Sequence, residues 1–215
     1  MTGKFITEKF NFDGGRLVTV YVPQLQPEII VFAGDGQEIS QWGSDLEATG
    51  LPPVMIVGIH RCEDETKRLH EYTPVFDAER FAAHEKFLLE EVRPWALSRF
   101  NASLPVQRTA FCGISASGEL SLAMGFRHPD IFGIVFSCSP GAGYRPPEVL
   151  PTLRPAVYLV AGDKESFFLE NAQRWADALN DVSGDVVMAE REGGHGDKFW
   201  REEFPVMLAW VLKRQ

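Results

Sequence analysis

Ser115 has the surroundings that a nucleophilic serine needs. It is the third residue of Gly-Ile-Ser-Ala-Ser-Gly at residues 113–118, which follows an apolar run at residues 109–112 and precedes a stretch of helical character at residues 119–127. A serine on a sharp turn between a strand and a helix projects its hydroxyl above the sheet edge, where the helix N-terminus favours developing negative charge. Ser117 stands two positions later, where glycine is usual. The pattern predicts a nucleophile elbow, with a helix N-cap serine as the alternative.

His195 has the placement of a general base. It lies between glycines in Gly-Gly-His-Gly, residues 193–196, after the last apolar run and before the last helical stretch. Glycines on both sides let such a loop carry the ring back over the sheet edge. A serine hydroxyl is a weak nucleophile until a positioned imidazole removes its proton. The other histidines lack this placement, and His84, in mid-helix among charged residues, is expected at the surface.

Two acids follow the apolar run at residues 156–161, and either could orient the imidazole. They are Asp163 and Glu165. A carboxylate fixes the tautomer of the ring and stabilises its charged form. The order nucleophile, acid, histidine, each after a strand, is that of α/β-hydrolases. Glu165 is preferred because that fold usually places the acid a few residues beyond the glycine that ends the strand. Asp163 remains the alternative, and both can also be plain loop charges.

Acyl transfer further needs two N–H donors aimed at the oxygen that becomes negative. The backbone of Ala116, next to the nucleophile, is one candidate. The second is expected in the loop Gly-Asp-Gly-Gln at residues 34–37, although Asp-Gly pairs also make simple turns. Several aromatic side chains lie in or near loops at the same predicted edge and are candidates for substrate contact: Trp42, His60, Tyr72 and Phe167, with Phe168 beside the last.

The elements that must position these residues follow from the hydrophobic pattern. Two alternating runs joined by Asp-Gly-Gly predict an antiparallel hairpin at residues 4–12 and 16–22. Short unbroken apolar runs predict buried parallel strands at residues 29–33, 54–59, 109–112, 133–137, 156–161 and 186–189. Apolar stripes of helical period predict helices at residues 77–100, 166–179 and 197–213, two of them interrupted by Pro94 and Pro205.

Strands that alternate with helices predict an α/β fold. We expect a doubly wound, mostly parallel sheet with an N-terminal antiparallel hairpin, covered by helices as a three-layer αβα sandwich. Ligand sites in such sheets form at the carboxyl ends of the strands. The 215 residues fit one domain, residues 1–215, because no repeat, linker or low-complexity segment interrupts the pattern.

Composition restricts the partners. The net charge of −9 repels phosphate backbones and anionic lipids, so nucleic acid and membrane surfaces are poor partners. No apolar run is long enough for a signal-peptide core or a membrane span. The three cysteines, Cys62, Cys112 and Cys138, are widely spaced and form neither a disulfide framework nor a zinc signature. We therefore expect a cytoplasmic protein without a metal; the oligomeric state stays open.

From about residue 16 onward the chain resembles an esterase family of the α/β-hydrolase superfamily, related to enterochelin esterase, esterase D and the antigen 85 mycolyltransferases. The motifs that carry the resemblance are Val-Tyr-Val-Pro at 20–23, Asp-Gly-Gln at 35–37, Arg-Leu-His-Glu-Tyr-Thr-Pro at 68–74, the elbow at 113–118, His-Pro-Asp-Ile-Phe-Gly at 128–133, Ser-Cys-Ser-Pro at 137–140 and Gly-Gly-His at 193–195. The resemblance implies a hydrolase without metal or cofactor, with a triad of Ser115, Glu165 and His195. It also implies oxyanion donors on the backbones of Gln37 and Ala116.

These features predict a carboxylic ester hydrolase that forms an acyl-enzyme on Ser115. The chain is short for the fold and leaves little room for a lid, so we expect an open site for a small or protruding ester. Acyl transfer or thioester cleavage on the same residues is the enzymatic alternative. A catalytically silent binding protein with this fold is the alternative outside enzymes.

Overall fold

The sheet carries all the strands that the structure assigns. A computed structural model of the chain describes residues 3–196 and 198–214. Its strands are β1 (Lys4–Phe10), β2 (Arg16–Val22), β3 (Ile29–Ala33), β4 (Val54–Ile59), β5 (Thr109–Ile114), β6 (Ile134–Cys138), β7 (Ala156–Gly162) and β8 (Val186–Arg191). They form an eight-stranded sheet in the order β1-β2-β4-β3-β5-β6-β7-β8. β2 pairs antiparallel with β1 and β4, and every other pair is parallel, which confirms the predicted fold class and its hairpin.

Helices occupy most of the connections between the parallel strands. They are α1 (Gly36–Ile39), α2 (Gly43–Leu46), α3 (Glu65–Tyr72), α4 (Ala78–Phe87), α5 (Arg93–Arg99), α6 (Ala116–Arg127), α7 (Ser166–Asp181) and α8 (Phe199–Leu212). A π-helical turn, Leu88–Val92, joins α4 to α5 without a break. Pro94, in the first turn of α5, has no N–H to donate, and this wider turn accommodates the missing donor. Pro205 lies inside α8 and does not end it. Asp197, the first residue of the predicted last helix, lies outside the described residues.

The apolar pattern predicts no helix between residues 60 and 76, but α3 lies there. Asp64 caps it by accepting the Lys67 backbone N–H at 3.1 Å. Most of its eight residues are polar, so an apolar pattern does not predict it. Its buried residues are Arg68, Glu71 and Tyr72, which belong to the Arg-x-x-Glu-Tyr-x-Pro motif. Polar contacts, and not an apolar stripe, therefore fix this helix.

β3 shows how the sheet is buried on both faces. Ile29, Val31 and Ala33 join one core cluster, and Ile30 and Phe32 join the other. Successive side chains of a strand point to opposite faces, so a strand that is apolar at every position needs cover on both sides. The first cluster includes residues of α1, α2 and α8, and the second includes residues of α3, α4 and α6. α7 packs with α6 on that second face. The helices thus form layers on the two sides of the sheet.

The parallel strands bring five loops to one edge of the sheet. These loops follow β3, β5, β6, β7 and β8, and they carry Gln37, Ser115, Ser139, Glu165 and His195. Residues far apart in sequence therefore lie side by side at this edge. Within the described residues no helix has the length and apolar character needed to cross a bilayer.

Candidate active site

The backbone of Ser115 is held in an unfavourable conformation. It is the N-cap of α6, with φ 56° and ψ −122°. A residue with a side chain rarely adopts positive φ, and such strain persists only where the surroundings enforce it. The Ser115 N–H donates to the Cys138 carbonyl at 2.9 Å, and the Ser115 carbonyl accepts the Gly118 N–H at 2.9 Å. These bonds hold the turn on both sides of the serine.

The turn is tight enough to explain which neighbours it accepts. A Cβ on Gly113 would lie 1.8 Å from the Ser117 carbonyl oxygen, so only glycine fits there. Ser117 takes the place of the usual glycine because Gly34 of the adjacent loop leaves room for its side chain: a Cβ there would lie 2.7 Å from the Ser117 Cβ. The Ser117 hydroxyl accepts from the Ile114 N–H and donates to the Ile114 carbonyl, both at 2.8 Å. Ser117 thus braces the turn.

A chain of hydrogen bonds connects Ser115, His195 and Glu165. The Ser115 Oγ lies 2.9 Å from the His195 Nε2, and the His195 Nδ1 lies 2.7 Å from the Glu165 Oε2. With the serine as donor to Nε2, the ring carries its proton on Nδ1 and donates it to the carboxylate. The Glu165 side chain is 2% exposed and the His195 side chain 34%. The carboxylate is therefore shielded, while the ring remains open to a ligand.

Glu165 is held by uncharged donors. Its Oε1 accepts from the Ser139 hydroxyl at 2.5 Å and from the Gly162 N–H at 2.6 Å. The Ser139 hydroxyl in turn accepts from the Trp200 Nε1 at 2.7 Å. Within the described part of the chain, His195 is the sole ion-pair partner of Glu165. No arginine or lysine there neutralises Glu165, so its charge is available to stabilise a protonated His195.

The structure separates the two acids that followed β7. The Asp163 Oδ1 accepts the Gly193 N–H at 2.9 Å, whereas Glu165 contacts the imidazole itself. Asp163 thereby ties the loop that carries His195 to the end of β7. Two aromatic rings fix the imidazole plane: Phe168 stacks on it with ring centroids 3.8 Å apart, and Trp200 meets it edge-on at 5.0 Å.

The two expected backbone donors lie at the starts of two helices, the short α1 and the long α6, which follow neighbouring strands. Ala116 is the first residue of α6 and Gln37 the second of α1, so neither N–H has an intrahelical acceptor. β3 pairs directly with β5, with Ala33 opposite Cys112, which brings the two helix starts to the same place on the edge. The Gln37 side chain is turned aside, and its Oε1 accepts the Arg61 N–H at 3.2 Å.

An apolar cavity of about 870 Å³ opens beside Ser115. Its lining comes from α3, the loop that follows it, the start of α6, the loop after β6 and the start of α7: Leu69, Pro74, Val75, Phe76, Ser115, Ala116, Glu119, Gly141, Ala142, Gly143, Tyr144, Arg145, Phe167 and Phe168. Phe167 lies at this cavity and is 55% exposed, and its contact with substrate stays a prediction.

Three residues expected to contact substrate lie outside this cavity. Trp42 is buried against Phe204 on the opposite face of the sheet, with ring centroids 5.4 Å apart. His60 bonds the Thr19 Oγ1 through its Nε2 at 2.8 Å, and burial lowers the pKa of His60. Tyr72 is fully buried beneath the loop after β3. The expectation is corrected for Tyr72, which no substrate can reach. Trp42 lines a different cavity together with Gln37 and Gly196, and His60 lines another beside the hairpin, so substrate contact at these two residues stays a prediction.

The sequence assigns no role to two residues near the site, Glu119 and Ser139 of the Ser-Cys-Ser-Pro motif. Ser139 bonds Glu165, and its signal was a Ser-Pro pair directly after β6 at the same sheet edge. Glu119 lies in the cavity wall four residues after Ser115, one helical turn along α6. Burial raises the pKa of Glu119, against hydrogen bonds from Thr73 and from the backbones of Gly143 and Tyr144. Its carboxyl group thus joins three segments of the wall.

A further group of potential metal ligands lies away from this edge, on the hairpin side of α3. Ligand atoms of Asp13, Cys62 and Glu71 lie within 4.8 Å of one another. The Glu71 carboxylate, however, already binds the Arg16 Nη1 at 2.8 Å and the Arg80 Nη2 at 2.6 Å. Two guanidinium groups therefore occupy the place that a cation would take, and this group fits an ion-pair network better than a metal centre.

Three solved structures with the same architecture are distant from this chain in sequence. The enterobactin esterase of Shigella flexneri superposes with a TM-score of 0.79 at 19% identity, over 99% of this chain and 60% of that one. The chain thus spans about three fifths of the length of that esterase. The BES protein of Bacillus cereus gives 0.77 at 17% identity, over 98% and 95% of the two chains. A CE1 ferulic acid esterase of Anaeromyces mucronatus gives 0.70 at 16% identity, over 96% and 89%. These likenesses concern the fold.

Among curated proteins no significant match is found. The family-level comparison is more informative, because one family model, described as Putative esterase, matches residues 24–211. The matched range runs from the end of the hairpin into α8 and contains every residue of the hydrogen-bonded site. The chain therefore belongs to the Putative esterase family.

Proposed function

We propose that this protein is a serine esterase that hydrolyses a carboxylic ester through an acyl-enzyme on Ser115. The observation that carries the proposal is the continuous hydrogen-bond chain from Ser115 through His195 to Glu165, with Ser115 at the base of an open apolar cavity. Membership of an esterase family supports the same reaction class.

The first half of the proposed reaction breaks the ester. The Ser115 oxygen attacks the ester carbonyl carbon while its proton passes to the His195 Nε2. The carbonyl electron pair moves to oxygen, and the resulting oxyanion accepts hydrogen bonds from the backbone N–H groups of Ala116 and Gln37. Glu165 stabilises the imidazolium through the Nδ1 proton. The intermediate then collapses: the bond to the alkoxy oxygen breaks, and His195 returns the proton to the leaving alcohol.

The second half releases the acid. A water molecule takes the place of the alcohol, His195 removes one of its protons, and the resulting hydroxide attacks the acyl carbon. Collapse of this second intermediate breaks the bond to the Ser115 oxygen, which recovers its proton from His195. The sum is one ester and one water converted to one alcohol and one carboxylic acid, with the protein unchanged.

The cavity restricts the substrate. Its wall is largely aliphatic and aromatic, so it favours an apolar group on one side of the ester. The volume of about 870 Å³ accommodates a ring or a branched group, and the exposed Val75, Phe76 and Phe167 leave the entrance open. Neighbours of this fold include enterobactin and ferulic acid esterases, which supports compact aromatic acyl groups as the first class to test.

A fluorophosphonate probe and a panel of p-nitrophenyl esters test the proposal together. The probe is expected to attach to Ser115, located by peptide mapping, and to stop ester hydrolysis in proportion to labelling. Ser117 and Ser139 act as internal controls, because both are buried and hydrogen-bonded. A wild-type protein that neither reacts with the probe nor hydrolyses any ester in the panel would reject the proposal.

A further inference from the structure

The backbone of the loop after β3 is fixed at Asp35. This residue adopts φ 47° and ψ 40°, a left-handed conformation that is uncommon for residues with a side chain. It directly precedes α1, whose second residue, Gln37, supplies one of the oxyanion donors in the proposed function. The conformation of Asp35 therefore sets the direction of that donor.

α3 holds Asp35 at both its side chain and its backbone. The Arg68 guanidinium binds the Asp35 carboxylate in a two-point contact, Nε to Oδ1 at 2.9 Å and Nη2 to Oδ2 at 2.6 Å. The Asp35 N–H donates to the Tyr72 hydroxyl at 3.0 Å. Arg68 and Tyr72 are four residues apart on α3, so they present one face to the loop. All three residues are buried, which leaves these contacts little freedom to rearrange.

The rest of the loop is packed without a gap. A Cβ on Gly36 would lie 2.0 Å from the Gly58 carbonyl carbon, so the start of α1 rests directly on the backbone of β4. On its other side the loop meets Ser117 of α6 at Gly34. The loop is thus clamped between two rigid elements, and α3 supplies the contacts that orient its peptide groups.

The remaining buried polar residue of α3 anchors the helix elsewhere. Glu71 binds Arg16 of β2 and Arg80 of α4. The spacing Arg-x-x-Glu-Tyr therefore serves two directions: Arg68 and Tyr72 reach the loop after β3, and Glu71 attaches α3 to the body of the fold. The Arg68 guanidinium also lies over the Tyr72 ring, 5.4 Å from its centroid, which keeps the two side chains together.

We propose that Arg68 and Tyr72 are positioning residues that hold the loop after β3 through Asp35, so that these two side chains of α3 set the rate of the chemical step without touching substrate. The inference rests on the proposed serine esterase function. A misplaced oxyanion donor weakens binding of the transition state and leaves binding of the ester ground state nearly unchanged. The loss should accordingly appear in kcat and not in KM.

The test uses Tyr72→Phe, Arg68→Met and Arg68→Lys, assayed with p-nitrophenyl acetate. Tyr72→Phe should lower kcat about 10- to 100-fold, below the full loss of an oxyanion donor, with KM within about threefold. The rate constant of fluorophosphonate labelling should fall by the same factor, because that reaction also develops charge on an oxygen in the hole. Arg68→Met should lose more activity than Arg68→Lys, which keeps the charge near Asp35 but loses the two-point contact.

Arg80→Met is the matched control. It removes one of the two arginines on Glu71 and so weakens the anchor of the same helix, away from Asp35. It should lower thermal stability while kcat stays within about twofold. If Tyr72→Phe lowers Tm as Arg80→Met does but leaves kcat and the labelling rate unchanged, α3 is only structural and the inference is wrong. A wild-type protein that is neither labelled nor active rejects the esterase proposal instead, before any variant is compared.

Discussion

The described part of the chain contains two glutamate–histidine pairs of similar geometry and different surroundings. His195 Nδ1 lies 2.7 Å from the Glu165 Oε2 at the carboxyl edge of the sheet. His128 Nε2 lies 2.8 Å from the Glu85 Oε1, between α4 and the end of α6. In the second pair the Glu85 carboxylate also receives the Arg127 guanidinium. A short contact between a carboxylate and an imidazole is therefore not in itself a mark of catalysis.

The difference lies in what surrounds each carboxylate. Burial opposes ionisation of Glu85, but hydrogen bonds from His128 and Arg127 outweigh it and lower the pKa of Glu85 to about 2. The permanent charge of Arg127 already balances this carboxylate. Glu165 has uncharged donors on its other oxygen, and the second nitrogen of its histidine faces a strained serine. The Glu85–His128 pair is suited to stability and the Glu165–His195 pair to proton transfer, and each prediction below tests that division.

The largest effect is expected from the serine that distinguishes the two pairs. Ser115→Ala should reduce kcat by about 10⁴ or more, because the residues of such a site act as a unit. The fold should stay intact, because the Ser115 hydroxyl contacts His195 at the site and not the core, and alanine keeps the Cβ of the serine. Initial rates with a p-nitrophenyl ester and thermal melting check both parts. A variant that keeps a tenth of the activity would place the nucleophile elsewhere.

Substitution of the acid should lower kcat in the Glu165–His195 pair and leave it unchanged in the Glu85–His128 pair. Glu165→Gln should lower kcat by up to about 10⁴, because the amide leaves the imidazolium without a counter-charge and favours the wrong tautomer. Asp163→Asn should cost less than about tenfold, since the amide oxygen can still accept the Gly193 N–H. Glu85→Gln should leave kcat unchanged. Rates for the three purified variants settle the order, and a greater loss for Asp163→Asn than for Glu165→Gln would move the acid to Asp163.

A smaller effect is expected from the residue that supports Glu165. Ser139→Ala removes one hydrogen bond to a carboxylate, which is worth about 1.5–3 kcal/mol and corresponds to a loss in kcat of about 10- to 100-fold if the carboxylate loses its position. Ser137→Ala is the matched control, because Ser137 is an equally buried serine on β6 whose hydroxyl bonds Gly118 instead. Equal losses for the two variants would show that the effect comes from packing near β6.

Much of the site could be predicted because its side chains follow buried strands. Ser115, Glu165 and His195 each lie in a loop after an apolar run, and parallel strands bring such loops to one edge. The cavity could not be predicted in this way, since an aromatic residue beside a loop looks the same whether it packs inward or faces a ligand. Tyr72 packs inward and Phe167 faces the cavity, although both lie beside loops at the same edge.

His84 shows why single residues within correctly predicted elements were misplaced. It was expected at the surface because its sequence neighbours are charged, and it is fully buried, with burial lowering the pKa of His84 to about 4. On a helix, residues three and four apart share a face, so Phe81 and Phe87 place His84 on the buried stripe of α4. α3 was missed for a related reason, because its contacts are polar and long-range and leave no local pattern.

The smallest effect concerns the stabilising pair, and it depends on pH. A carboxyl group whose folded pKa lies below its unfolded value adds stability above the unfolded pKa, and this contribution is lost as pH falls through the folded pKa. For Glu85 the window runs from its ordinary value of 4.5 down to about 2. Glu85→Gln should therefore lower the free energy of unfolding at pH 7 by about 1–2 kcal/mol, after allowance for the partial exposure of the ion pair.

The difference between wild type and Glu85→Gln should shrink as pH falls from 5 toward 3, because the unfolded wild type then takes up a proton on Glu85 while the folded carboxylate stays ionised down to about pH 2. Urea unfolding curves across this range measure it. Glu91→Gln, at an exposed position of the adjoining helical turn, is the control and should change stability by less than about 0.5 kcal/mol at every pH. A Glu85→Gln penalty that is the same at pH 7 and pH 3 would show that the carboxylate contributes shape and not charge. The division between a stabilising pair and a catalytic pair would then have to rest on Arg127 alone.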